Sequence, residues 1–73
     1  MALQGRTLAE RHAEAQRHVL VGRRLIDRQR RLIGRLKVLG RDTRRSEEIL
    51  VSFEQTQLIF EGDLIRIGVQ RRT

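Results

Sequence analysis

The chain has 73 residues, 16 of them Lys or Arg against nine Asp or Glu, for a formal charge of +7, and it contains no Cys and no Pro. At this length folding removes only about 60% of the unfolded chain's surface from water, and without Cys neither disulfides nor thiolate metal sites can make up the deficit. Self-association is therefore the expected source of extra stability, and the absence of Cys suits a reducing cytoplasm.

The first ten residues, MALQGRTLAE, hold no apolar run of the length a secretory signal needs, and the longest apolar runs, Val19-Leu20-Val21 and Leu58-Ile59-Phe60, fall far short of the roughly 20 residues of a bilayer crossing. Cytoplasmic localisation without membrane insertion is the expectation. Thr7-Leu8-Ala9-Glu10 matches a capping box, so a helix should begin there. From Leu8 onward Ala15, Val19, Leu25, Ile26, Leu32, Ile33, Leu36 and Leu39 recur at the three-and-four spacing of a helix stripe. The stripe stops at Gly40, a residue suited to a left-handed C-terminal position. The first helix is thus expected over about 7–39.

Asp42 or Thr43 can cap a second helix, with Glu47 and Glu48 near its N-terminus where the dipole favours negative charge. That helix is expected over about 43–70 after a turn at 40–42, and helices joined so briefly are normally antiparallel neighbours. The fold class predicted is all-α: one domain over 1–73, a coiled-coil-like helical hairpin of two long antiparallel helices. Its core is expected to comprise Val19, Leu25, Ile26, Leu32, Ile33, Leu36 and Leu39 from the first helix. The second contributes Ile49, Leu50, Phe53, Phe60, Leu64 and Ile67.

The second helix carries another apolar line. Val51, Leu58 and Ile65 recur every seven residues, with Gly62 and Val69 alongside, about 100° around from the core stripe. A hairpin can bury one stripe of each helix, so this line is the candidate oligomer interface, and a two-fold homodimer forming a four-helix bundle is the simplest closed arrangement. Phe53→Ala should unfold the hairpin, whereas changing Leu58 and Ile65 to Lys should dissociate the assembly.

Charge is unevenly placed. Residues 1–40 carry ten basic and three acidic side chains, while 46–65 hold Glu47, Glu48, Glu54, Glu61 and Asp63 with no basic residue. Antiparallel pairing brings Arg35 near Glu47, Arg28 near Glu54 and Gly22 opposite Gly62. Gln29 and Gln57 interrupt the two stripes, as polar residues that fix register do, though that pairing leaves them a turn apart. Arg17, Arg24, Arg28, Arg31 and Arg35 gather on their own side of the first helix and form the candidate polyanion-binding stripe. There is no Trp or Tyr, and both Phe fall on the core stripe, which argues against base stacking.

Catalytic chemistry lacks its parts. His12 and His18 stand about 240° apart on a helix and cannot share a metal within one chain. Glu14 near His18 has no nucleophile to serve, and neither a Glu-x-x-His signature nor a glycine-rich phosphate loop occurs. No enzyme activity and no cofactor are expected.

The segments AERHAEAQRHVLVGRRLIDRQRRLIGRL, GRDT and LVSFEQTQ, spanning roughly residues 9–64, resemble a group of short uncharacterised helical-hairpin proteins of rhizobia and related alphaproteobacteria, with Gly-x-Asp-Thr at the turn. The resemblance implies a bacterial cytoplasmic hairpin and carries no activity with it. The expected function is that of a small self-associating interaction or scaffold protein. The partners are a second copy or a protein with an acidic surface. The alternative is a basic helical protein that binds nucleic-acid phosphate through the arginine stripe.

Overall fold

The computed structural model describes residues 6–73 and consists of two antiparallel helices, α1 (Leu8–Val38) and α2 (Arg44–Arg72), packed on each other in a rod of 53 × 26 × 14 Å. There is no strand among the described residues. The helices have 31 and 29 residues, within two residues of the expected bounds at every end. The expectation that the chain opens without a leader lies partly outside the described residues.

The start of α1 is the predicted capping box. The Glu10 amide donates to the Thr7 hydroxyl at 3.0 Å, and the Thr7 amide donates to the Glu10 carboxylate at 3.0 Å. Its end is a complete Schellman motif: the Gly40 amide donates to the Lys37 carbonyl at 3.0 Å and the Arg41 amide to the Leu36 carbonyl at 2.8 Å. Gly40 sits at φ +67°, a region that a side chain at this position would resist.

At the start of α2 the capping work is divided. Thr43 occupies the cap position, its carbonyl accepting the Glu47 amide at 2.9 Å, but its hydroxyl accepts no bond from the helix and donates to the Glu47 carboxylate at 3.1 Å. Asp42 accepts the Arg44 amide at 3.0 Å, the local bond that lets Asx side chains close a turn.

The buried line of α1 is Ala15, Val19, Gly22, Ile26 and Ile33, while α2 buries Gln57 alone. Leu32, Leu36, Ile49, Leu50, Phe53, Phe60, Leu64 and Ile67 are half-buried around this seam. Two expected core residues are not in the core. Leu39 is 70% exposed, because it follows the last residue of α1 and the chain is already turning away from α2. Leu25 is 39% exposed, because α1 has one neighbouring helix and a side chain about 100° round from Ile26 falls on the flank of so narrow a contact.

The register also departs in detail from expectation. Gly22 faces Gln57 rather than Gly62, and the side chain of Gln57 fills the space that a Cβ on Gly22 would need. Gln57 donates to the Val19 carbonyl at 2.9 Å, and Gln29 donates to the Ser46 carbonyl at 2.8 Å. Each glutamine thus ties its helix to the backbone of the other. Two such bonds of fixed length hold the register more closely than a bond between the two side chains would.

Candidate functional site

Three surfaces remain once the hairpin has formed. The first is the second apolar line of α2. Leu58 is 70% and Ile65 66% exposed, with Val51 and Val69 each half exposed and Gly62 partly covered. These residues lie about 80–120° round α2 from Gln57, too far from the seam for α1 to reach. The expected interface residues are therefore brought together on one open flank.

The second surface lies on the other flank and was missed as a surface. Val21, Leu25, Phe53 and Phe60 line an open groove of about 540 Å³, with the buried Gly22 and Gln57 beneath and the exposed Arg17 and His18 at its edge. His18 lies over Phe60 with ring centroids 4.9 Å apart and approaches Glu14 at 4.0 Å. Both Phe residues were assigned to the core on periodicity. The signal available for a groove was the adjacency of Leu20-Val21 to the stripe, which makes the apolar face of α1 wider than one partner helix can cover. Among the described residues, ten large apolar side chains are exposed and four apolar ones are buried.

The third surface is the arginine stripe. Arg17, Arg24, Arg28, Arg31 and Arg35 are all exposed on the side of α1 turned away from α2. The ion pairs between the helices use other cations. Arg30 meets Glu54 at 3.0 Å and Lys37 meets Glu47 at 3.9 Å, in place of the Arg28 and Arg35 pairs expected from the spacing. Those two cations lie within about 40° of the buried line, whereas Arg28 and Arg35 lie roughly opposite it and cannot reach round the helix.

Elsewhere Arg6 pairs with Glu14, Arg66 with Asp63, Arg44 with Asp42 at 3.3 Å, and Arg45 with Glu48 at 3.4 Å. At the open end of the hairpin a guanidinium nitrogen of Arg71 lies 2.9 Å from His12 Nδ1. His12 and His18 thus go to different neighbours. The Glu10 carboxyl is held below its ordinary value by the bonds it receives from the Thr7 amide and hydroxyl, with Arg6 adding to the effect. Asp42 is held low by the Arg44 amide and then by its guanidinium. Both shifts belong to helix ends, so neither marks a reacting group.

No helix among the described residues is long and apolar enough to cross a membrane. No protein-family model, curated protein or solved structure matches the chain.

Proposed function

We propose that the protein is a small self-associating hairpin that serves as an interaction module, and that the seam between copies is the Val51, Leu58, Gly62, Ile65 and Val69 line of α2. The observation that carries this reading is the imbalance of burial: among the described residues ten large apolar side chains stay exposed against four buried, in a hairpin too small to hold a large core. A second copy related by a two-fold axis would cover that line with the same line, making a four-helix bundle from two hairpins. The reading places the protein in a bacterial cytoplasm, on its resemblance to the alphaproteobacterial hairpins and on its lack of Cys. Its role is to hold chains together, with no reaction of its own.

Sedimentation equilibrium at micromolar concentration tests the proposal. The wild-type chain should sediment at twice the 8.6 kDa chain mass, and Leu58→Lys/Ile65→Lys should fall to the single-chain mass while remaining helical. A wild-type monomer that melts cooperatively would overturn self-association. A double variant that keeps the dimer mass would overturn this seam.

A further inference from the structure

We propose that the outer face of α1 is a binding site for the phosphate backbone of double-stranded nucleic acid, formed by Arg17, Arg24, Arg28, Arg31 and Arg35. The inference does not depend on how the hairpin self-associates, because these side chains lie on α1 on the side turned away from α2, whereas the proposed seam is on α2.

It starts from where the carboxylates go. Of the nine acidic side chains, Glu14, Asp42, Glu47, Glu48, Glu54 and Asp63 are held in ion pairs with cations outside the stripe. Glu10 is engaged in the cap of α1 and Glu61 accepts a bond from Gln57 at 3.4 Å. Only Asp27 is left to face five arginines, and no described carboxylate lies within ion-pairing distance of any of them. The acidic half of the sequence therefore neutralises Arg30 and Lys37 and leaves the stripe opposed by Asp27 alone. An arginine row with so little local counter-charge holds a layer of solution anions, whose release on meeting a polyanion favours binding.

The shape of the row points to a duplex backbone. From Arg17 to Arg35 the helix rises about 27 Å without a break. A duplex presents one phosphate per strand every 3.4 Å of axis, so several lie within reach of the row at once. Guanidinium is suited to phosphate because its planar fork can donate two bonds to one group. The chain has no Trp or Tyr, and both Phe belong to α2 and are half-buried beside the seam, with Arg17 only at the rim of their groove, so the outer face of α1 itself carries no aromatic platform on which unstacked bases would rest. Binding is accordingly to the backbone, independent of sequence.

The test is fluorescence anisotropy with two labelled duplexes of unrelated sequence, titrated with the full-length protein at salt rising from about 50 mM. Both duplexes should bind equally, with a log-log salt slope between about −3 and −4.5, corresponding to three to five phosphates per hairpin. Arg24→Gln/Arg28→Gln/Arg31→Gln should flatten the slope by about 2.7. Arg41→Gln/Arg44→Gln/Arg45→Gln, which removes the same charge from the turn, should leave the slope as it was. Circular dichroism of both triple variants confirms that each is helical.

Absence of binding at about 50 mM salt, or equal flattening by the two variants, would overturn the site. So would competition by poly-glutamate or by phosphatidylglycerol vesicles that matches unlabelled duplex at equal charge, since the row would then be reading charge alone.

Discussion

The two helices are nearly equal in length and bury different things. α1 encloses Ala15, Val19, Ile26 and Ile33, whereas α2 encloses only Gln57. The enclosed side chains of α1 are short or β-branched and lie on one line, so a single neighbour can cover them. The apolar side chains with which α2 meets that line, Phe53, Phe60, Leu64 and Ile67 among them, are larger and flank the seam, so the same contact covers them only partway. The two sides of one seam thus divide the tasks: α1 supplies the side chains that the hairpin encloses by itself, and α2 supplies those that it covers in part, while exposed apolar side chains occur on both helices.

This division is broken most directly by truncating one residue on each side of the seam. Ile26→Ala removes a buried side chain at the seam and should lower stability by about 3 kcal/mol, a large share of what a hairpin of this size holds. Phe53→Ala, expected from periodicity to unfold the hairpin, removes a larger side chain that is half in water and lines the open groove, and should instead lower stability by only about 1–2 kcal/mol. Thermal melts followed by circular dichroism at one protein concentration rank the two. If Phe53→Ala were the more damaging, α2 would hold the core after all and the contrast between the helices would fail.

Glycine sharpens the comparison within α1 alone. A Cβ on Gly22 would fall on the side-chain carbonyl of Gln57 and 2.7 Å from its Cδ, whereas a Cβ on Gly34 would meet nothing within 4 Å. Gly22→Ala has to displace Gln57 from its bond with the Val19 carbonyl and should destabilise by about 1–2 kcal/mol. In a Gln57→Ala background the same change should be neutral or stabilising, because the obstacle is gone and Ala is the better helix former by about 1 kcal/mol. Gly34→Ala should stabilise by up to about 1 kcal/mol in either background. Chemical denaturation of the four Gly22 and Gln57 combinations measures the coupling. An additive cycle would mean that the notch holds no register.

The same notch shows where sequence reasoning stopped. The ends of α1 were legible because capping is local: Thr7 and Glu10 contact each other three residues apart, and Gly40 supplies its own φ. The hairpin and the inward line Val19, Ile26 and Ile33 were legible because their period is that of the helix itself. Which residue meets which across the seam was not, since adjacent positions differ by about 100° in direction and the spacing alone admits several cations for one carboxylate. Glu54 therefore finds Arg30 where Arg28 was expected, and Gly22 receives Gln57 where Gly62 was expected. The arginine row was legible as a row. That only Asp27 is left to oppose it was not, because it depends on where every carboxylate of the other helix ends up.

The smallest expected effect separates the ends of the hairpin from its middle. Glu10 and Asp42 each accept a backbone amide at a helix start, and both carboxyls are held below their ordinary values, chiefly by those bonds. A carboxyl whose value is lower in the folded than in the unfolded chain contributes stability that is complete above its unfolded value of about 4 and is lost as pH falls through the folded one. Acidification from neutral pH to below about 4 should therefore fray the first turns of α1 and α2 before it loosens Val19, Ile26 or Ile33, which carry no titrating group. Amide exchange, corrected for its intrinsic pH dependence, reads this directly: protection at Glu10 and Arg44 should fall first. In Glu10→Gln the first turn of α1 should lose its pH dependence, since Gln can still accept the Thr7 amide without titrating. Simultaneous loss of protection at Ile26 would overturn this order and make the seam, rather than the caps, the weak point in acid.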